Sequence, residues 1–211
     1  MRMLLTKIAL TVCVLLASAP IVEGGTRAGA ALQKKRTSRP AQRRQKRLRE
    51  PDVIFVPTPP ETVDEMLRQA HLKKGDVLFD LGSGDGRIPL AAAKQYGVRA
   101  VGIDIDPKLV AEATETAKRE GLDHLVTFRL GDMFAADLRG ATVVTLYLSD
   151  TLNVMLRPKL LRELRPGSRI ISHDFRMGDW LPEKSVRVPW KNLYRTVYVW
   201  TVPRGGRYKK K

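Results

Sequence analysis

Short apolar runs alternate with longer amphipathic segments between residues 58 and 202. The longer segments carry apolar side chains at helical spacing, and the short runs are β-branched or wholly apolar, as in strands that are buried on both faces. This alternation predicts an α/β fold, doubly wound around a mostly parallel sheet. The predicted helices are 59–70, 86–96, 107–120 and 151–164, and the predicted strands are 77–79, 100–103, 126–130, 142–148 and 168–172.

Both ends of this region depart from the alternation. Thr58, Pro59 and Glu61 predict a helix start with a capping hydroxyl, a proline at the first helical position and a capping box. At the other end, residues 186–188 and 196–202 predict an antiparallel hairpin. The complete prediction is a seven-stranded, Rossmann-like sheet with an antiparallel carboxyl-terminal edge.

The positive charge of the chain is concentrated outside this region. The 211 residues carry a formal net charge of +16, to which residues 27–50 contribute +9 and residues 204–211 contribute +5, whereas residues 51–203 carry only +1. A nearly neutral domain excludes a fold that is basic over its whole surface, although the tails could attract an anionic membrane surface or another polyanion. We predict a basic disordered linker at 25–50, a folded domain at 51–203 and a basic tail at 204–211.

The amino terminus has the features of an export or anchoring segment. Arg2 and Lys7 precede the apolar run 8–17, and a small-residue Ala-Ser-Ala motif follows. This order is typical of a secretory signal peptide. A proline directly after the motif would hinder cleavage there, so segment 1–24 is predicted to be a signal peptide or a retained anchor, with a buried helix as the alternative. We expect the protein in the cell envelope, on a side of the membrane that the sequence leaves open.

The sequence contains no recognisable set of metal ligands. Cys13 is the only cysteine, and the three histidines, His71, His124 and His173, are far apart. This composition predicts neither a disulfide framework nor a metal cofactor.

The segment 80–87, with the sequence DLGSGDGR, is the candidate ligand site. Its glycines allow the backbone to turn sharply and a ligand to approach closely. Ligands of open parallel sheets bind at the carboxyl ends of the strands. A second carboxylate, Asp104, ends the next predicted strand, where it could hold two ribose hydroxyls.

The spacing of the glycines and Asp80 together indicate the kind of ligand. A dinucleotide-binding turn has the pattern G-x-G-x-x-G and faces pyrophosphate. Here the pattern is G-x-G-x-G, and Asp80 would repel pyrophosphate. A ligand with a ribose, a cationic amino group and no phosphate fits both Asp80 and Asp104. We therefore predict S-adenosylmethionine as cofactor and a class I methyltransferase fold, with a nicotinamide-dependent oxidoreductase as a disfavoured alternative.

More specific motifs extend over about residues 55–200. They are VPTPP at 56–60, the glycine turn through Ile88, GIDID at 102–106, ATVVTLYL at 141–148, LRPKL at 156–160, SHDF at 172–175 and GDW at 178–180. In these motifs the chain resembles the archaeal-type protein lysine methyltransferases. It is also similar to the mitochondrial lysine methyltransferases that modify inner-membrane proteins. The export segment and the basic tails are departures from that pattern.

The resemblance implies a set of residues that contact the cofactor. They are Thr58, Asp80, Gly82, Ser83, Gly84, Gly86, Asp104, Ile105, Asp132, Met133 and Leu148. Asp80 and the glycines would cradle the methionine part, Asp104 would hold the ribose, and Asp132 would meet the adenine amino group. Thr58 and Asp132 also have structural explanations, as a helix cap and as part of a turn.

The resemblance also implies that Tyr147 and Asp174 act at the site of methyl transfer. Tyr147 would line the transfer channel with Leu148, although it could equally be a core residue. Asp174 and His173 could instead be a polar pair that ends a strand. Transfer from a sulfonium requires alignment, exclusion of water and a neutral lysine, whose pKa an apolar channel lowers. After the fourth strand the chain has LSD rather than the Asn/Asp-Pro-Pro-aromatic run of amide and base-amino methyltransferases.

Three functions therefore stay open. Methylation of lysine amino groups in a protein is favoured. Methylation of a small molecule is not excluded, although the sequence shows no inserted lid domain to enclose one. The third function is that of a cofactor-binding or interaction protein without transfer activity: the basic tails favour an acidic partner, and the intact turn argues against a loss of cofactor binding. An exported enzyme would lack a methyl donor that is made in the cytosol, a conflict that an uncleaved anchor with a cytosolic domain resolves.

Overall fold

A computed structural model describes residues 54–206 and Tyr208. The predictions for segment 1–24, for the linker at 25–50 and for most of the basic tail lie outside the described residues.

Helices and strands alternate up to β5, except that β4 follows β3 without a helix between them, and two further strands follow. In chain order the elements are α1 (Pro60–Ala70), β1 (Val77–Leu81), α2 (Arg87–Tyr96), β2 (Arg99–Asp104), α3 (Pro107–Arg119), β3 (Val126–Leu130), β4 (Val143–Leu146), α4 (Asp150–Glu163), β5 (Arg169–His173), β6 (Lys184–Trp190) and β7 (Leu193–Thr201), with a 3-10 turn at Arg204–Gly206.

All seven strands form one sheet in the order β3-β2-β1-β4-β5-β7-β6. Strands β1 to β5 are parallel, and β7 is antiparallel to both β5 and β6. The predicted fold class and its antiparallel edge are confirmed. Because β1 has β2 on one side and β4 on the other, the order of the strands reverses there, and a crevice forms at their carboxyl ends.

Apolar side chains cover both faces of the sheet. Alternate residues of β1 point to opposite faces, so Leu78 packs with Met66 and Leu67 of α1, while Leu81 packs with Leu156 of α4. The central strands β1, β4 and β5 are therefore buried on both sides, which explains their mainly apolar sequence, whereas β3 and β6 are largely exposed.

Helix α1 begins one residue later than predicted. Pro59 occupies the N-cap with φ −58° and ψ 146°, no side chain caps the helix, and Pro60 is the first helical residue. The predicted Thr58 cap is wrong because a residue that precedes a proline is pushed out of the helical region, which excludes Pro59 from the helix. The Thr58 hydroxyl lies instead 3.2 Å from Nδ1 of His173.

Several strand ends differ from the prediction: β1 runs two residues further, β2 is one residue longer at each end, and β5 shifts by one residue. Strand β4 ends at Leu146, so Tyr147 and Leu148 lie in the connection to α4, which Ser149 caps by accepting the Leu152 N–H at 3.2 Å. Strands β6 and β7 extend beyond the predicted hairpin segments 186–188 and 196–202.

Replacement of Gly86 should destabilise the fold more than replacement of Gly97. Both residues have positive φ, of 79° and 63°, but a Cβ at Gly86 would lie 2.3 Å from Cζ of Phe128, whereas Gly97 has open space around it. We expect Gly97→Ala to lower the free energy of unfolding by about 1 kcal/mol through backbone strain. Gly86→Ala should lower it by about 3 kcal/mol because overpacking adds to the strain. Urea unfolding measures both, and equal losses would contradict the packing argument.

Candidate active site

A cavity of about 530 Å³ lies at the carboxyl edge of the sheet. Its walls come from the ends of β1 to β4 and from the extended segment 54–58. Most of the predicted site residues line it, namely Thr58, Asp80, Gly82, Ser83, Asp104, Ile105, Asp132, Met133, Tyr147 and Leu148. Gly84, Gly86 and Asp174 are not among the lining residues.

Asp80 contributes a buried carboxyl group to the cavity. It lies opposite Thr145 on the neighbouring strand, and the Thr145 hydroxyl donates a 2.7 Å hydrogen bond to Oδ1. Burial raises the pKa of Asp80 to about 7 against the effect of this bond, and the nearby charges of Asp104 and Asp85 raise it further. A positive charge in the cavity would therefore be strongly favoured beside the Asp80 carboxylate.

Asp104 joins the glycine turn to the end of β2. Its Oδ2 accepts the Gly84 N–H at 2.7 Å, and its Oδ1 accepts the Asp106 N–H at 2.9 Å. Each carboxylate oxygen has a second lone pair, and Asp104 lines the cavity. This side chain can thus hold the turn in place and still accept hydrogen bonds from ligand hydroxyls.

The turn itself fits a ligand that approaches the backbone closely. A Cβ at Gly82 would lie 2.7 Å from Cδ2 of Leu148. The Ser83 hydroxyl lines the cavity and is buried, without a hydrogen-bond partner among the described residues. A narrow backbone cradle, an unused hydroxyl and a carboxyl group that favours a cation fit the amino-acid end of S-adenosylmethionine.

The far end of the cavity suits a flat ring with a polar edge. Apolar side chains of Ile105, Leu109 and Met133 line it beside Asp132. The Asp132 Oδ1 accepts the Phe134 N–H at 2.8 Å, which fixes the orientation of the carboxyl group. Adenine, which carries an amino group, fits these residues.

Aromatic rings form one side of the cavity beyond β4 and β5, where the Tyr147 ring lines the cavity and the His173 and Phe175 rings pack next to it; we call this group the aromatic wall. Tyr147 stacks on His173 with centroids 3.8 Å apart, and Phe175 lies 5.9 Å from Tyr147. Burial lowers the pKa of His173 to about 4, Asp174 opposes this shift and Arg195 adds to it. Burial likewise raises the pKa of Tyr147. At neutral pH both groups are therefore uncharged.

The Asp174 side chain is engaged outside the cavity. Its Oδ1 accepts the Thr196 N–H at 2.7 Å, and its Oδ2 accepts a bond from Arg195 at 3.0 Å. The residue has a φ of 59°, so the chain turns sharply after His173. The structure thus gives Asp174 contacts to β7 and to the neighbouring His173, whose Nε2 lies 3.4 Å from Oδ2, and Asp174 does not line the cavity.

A segment that sequence periodicity could not detect closes one side of the cavity. Ile54, Phe55 and Val56 line it, and the Phe55 ring lies against Gly84. Arg87, paired with Asp85, donates a 2.8 Å bond to the Thr58 carbonyl and holds this segment to α2. The only sign of this segment in the sequence was the VPTPP motif at 56–60, which overlaps it from Val56 onward.

Two kinds of feature are not found in residues 54–206 and Tyr208. No three or more His, Cys, Asp or Glu side chains are grouped there so that they could hold a metal ion. None of the helices in this part of the chain has the length and apolar character needed to cross a bilayer.

Curated proteins and a family model match this chain. The model of the ANTKMT methyltransferase domain matches residues 80–184. A protein-lysine N-methyltransferase of Saccharolobus islandicus is 39% identical over 153 residues, which are 72% of this chain and 95% of that protein. The adenine nucleotide translocase lysine N-methyltransferase of Mus musculus is 35% identical over 131 residues, which are 62% of this chain and 56% of the mouse protein.

A solved structure is also similar over most of its length. A Salinibacter ruber protein, described as an RNA methyltransferase and solved in complex with S-adenosyl-L-homocysteine, is 52% identical, with a TM-score of 0.66 and coverage of 71% of this chain and 95% of that one. The product of the predicted cofactor is thus bound by a similar protein, although the acceptor named for it is RNA. Because almost the whole archaeal relative is matched at 39% identity, the chain belongs to the S-adenosylmethionine-dependent protein-lysine N-methyltransferase family.

Proposed function

We propose that this protein transfers a methyl group from S-adenosylmethionine to the ε-amino group of a lysine in a protein substrate. The observation that carries the proposal is a single cavity with a buried carboxyl group, Asp80, at one end and the uncharged Tyr147 ring in its wall, backed by the buried His173 ring. The first end suits a cationic cofactor, and the wall suits an amine that must lose its charge. Membership of the family supports a protein as the acceptor.

Different residues at the carboxyl edge of the sheet would bind different parts of the cofactor. Asp80 and Ser83 would hold the amino-acid part, Asp104 the ribose and Asp132 the adenine. Gly84 and Gly86 shape the turn rather than line the cavity. Bound there, S-adenosylmethionine supplies a methyl group on a cationic sulfur, so that the protein needs no nucleophile of its own.

The aromatic wall prepares the acceptor amine. A lysine that packs against the Tyr147 ring inside the cavity loses water, and desolvation lowers the pKa of its amino group toward the neutral form that can react. The Tyr147 hydroxyl can accept a hydrogen bond from the neutral amine and orient it. The contact between Thr58 and His173 fixes the ring on which Tyr147 stacks.

Lysine should be the labelled residue when the full-length protein is incubated with methyl-labelled S-adenosylmethionine and envelope proteins. Mass spectrometry after proteolysis would detect methyllysine.

Tyr147→Phe keeps the ring stack and loses the hydroxyl, so it should bind S-adenosylhomocysteine normally and transfer methyl groups at least about 10-fold more slowly. RNA is the second candidate acceptor, because the Salinibacter ruber protein is described as acting on it. Label in RNA without label in lysine would contradict the proposal.

Binding of S-adenosylhomocysteine should strengthen as the pH rises through the pKa of Asp80, about 7. The cationic amino group of the ligand favours the ionised carboxylate, which is the minor form at pH 6, so the affinity should rise about 10-fold between pH 6 and pH 8. Calorimetry in buffers with different ionisation enthalpies would detect the released proton. In Asp80→Asn this rise and this proton should both be absent.

The same ionisation gives the opposite trend in the stability of the ligand-free protein. Between pH 4 and pH 7 the folded state binds more protons at Asp80 than the unfolded state does, so this group lowers the free energy of unfolding as the pH rises.

The binding prediction would be contradicted by an affinity of the native protein for S-adenosylhomocysteine that does not change with pH, because Asp80 would then not contact the cationic amino group of the ligand.

We also propose that the amino-terminal segment attaches the protein to the cell envelope. Support comes from Arg2 and Lys7, the apolar run 8–17 and the basic segment 27–50. Retention as an anchor with a cytosolic domain gives access to the methyl donor and agrees with the tendency of basic segments to stay inside.

Cell fractionation tests this attachment. The native chain should remain with membranes after a high-salt wash, and a variant without residues 2–22, which keeps the basic linker, should become soluble. Recovery of the uncleaved native chain in the soluble cytoplasmic fraction would contradict the proposal.

A further inference from the structure

The hairpin of β6 and β7 extends past the strand beside it. Val197 pairs with His173, the last residue of β5, so residues 193–196 and their partners 187–190 continue beyond the end of β5. At about 3.4 Å per residue, this overhang is about 13 Å long. It projects from the carboxyl edge of the sheet, which also bears the cavity.

The overhang carries positive charge and no acidic residue. The overhang, residues 187–196 with the turn, contains Arg187, Lys191 and Arg195, without Asp or Glu. Arg195 pairs with Asp174, whereas Arg187 and Lys191 are exposed and have no ion pair with any residue that the structure describes. Two cations therefore remain available to an acidic partner.

Aromatic and apolar side chains accompany these cations. The Arg187 guanidinium lies 4.1 Å from the centroid of the Tyr194 ring, and over Trp190 lie Lys191 at 4.7 Å and Arg195 at 4.3 Å. Leu193 and Tyr194 are 63% and 55% exposed. The surface thus offers apolar contact area next to positive charge.

The base of the overhang is fixed beside the aromatic wall of the cavity. Tyr147 stacks on His173, and the next residue, Asp174, bonds to both Arg195 and Thr196 of β7. These contacts hold the start of β7 next to the ring that we assign to the acceptor lysine. A chain that presents its lysine to Tyr147 would pass close to the overhang.

We propose that residues 187–195 bind an acidic, partly apolar segment of the protein substrate that flanks the methylated lysine. The inference rests on the proposed lysine methylation and adds how the substrate is chosen. Carboxylates form charge-assisted hydrogen bonds with Arg187 and Lys191, and an apolar side chain packs on Leu193. The overhang therefore selects lysines by the charge of their neighbours.

A polypeptide fits this surface better than a nucleic acid does. Phosphates would be attracted to the same cations, but binding of single-stranded nucleic acid also relies on bases that stack on free aromatic faces. Cations already lie over Trp190 and over Tyr194. Outside the tails, moreover, residues 51–203 carry a net charge of only +1.

Three matched peptides test the selection by charge. Each has one central lysine and the same leucines, and the remaining positions are glutamate, glutamine or arginine. With the full-length protein at low salt, we expect kcat/KM to be at least about 10-fold higher for the glutamate peptide than for the glutamine peptide, mainly through KM. The difference should shrink at high salt, because screening weakens exposed charge pairs.

Charge reversal of the overhang should reverse this order. In the double variant Arg187→Glu with Lys191→Glu, the arginine peptide should become the best substrate. The matched control is Lys74→Glu with Arg99→Glu, two exposed cations at the amino ends of β1 and β2, on the opposite edge of the sheet. Unchanged affinity for S-adenosylhomocysteine would show that both variants keep the fold, and every variant retains the basic tails.

The outcomes separate this inference from the proposed function. If neither the peptides nor cellular proteins gain methyllysine, lysine methylation itself is wrong. If lysine is methylated regardless of neighbouring charge, or if the control changes the order as much as the double variant does, only the docking inference fails. If single-stranded RNA is methylated and its binding depends on Arg187 and Lys191, the overhang binds nucleic acid and the inference is overturned.

Discussion

A carboxyl group is buried at the end of β1 with no cation beside it among the residues that the structure describes, and the rest of the site is arranged around this unfavourable burial. Asp80 has one compensating bond, from the uncharged Thr145 hydroxyl, while Asp85 and Asp104 repel its negative charge. Removal of a carboxylate from water is unfavourable unless it is paired. A cationic ligand supplies the missing partner, so the ligand-free protein is preorganised for positive charge at the expense of its own stability.

The two acidic strand ends have different environments and therefore suit different parts of one ligand. Asp104 accepts two backbone N–H groups, from Gly84 and Asp106, and these bonds keep its carboxylate oriented toward neutral hydroxyls. Among the described residues no backbone N–H group bonds to the Asp80 carboxyl, so the ionisation of Asp80 responds to the charge of the ligand. The same strand register that places Asp80 opposite Thr145 also places it opposite Gly102, so the sheet sets the spacing between the two sites.

The sequence predicted the sheet and the position of the carboxylates because both follow from local patterns. Buried strands require continuous apolar runs, and Asp80 and Asp104 stand where those runs end. Other features depend on contacts that such patterns do not encode. The direction of Asp174 is set by a positive φ and by Arg195, and the Thr58 hydroxyl is drawn to His173. Residues 193–196 lack apolar alternation because they project beyond the core, so the predicted hairpin was too short.

The position of the family match bears on the disagreement over the acceptor. The matched segment 80–184 contains the glycine turn, Asp104, Asp132 and Tyr147, but it stops at the first residue of β6. Similarity within it therefore concerns the cofactor and the wall of the cavity more than the surface that meets the acceptor. The relatives described by lysine and by RNA match 72% and 71% of this chain, so their similarity extends beyond that segment and overall similarity alone does not choose between the two acceptors. We infer that the acceptor is chosen by segment 54–58, which lines the cavity, and by the overhang, whose base is bonded to Asp174 beside the His173–Tyr147 stack. There the charge and the exposed rings of this chain favour a polypeptide.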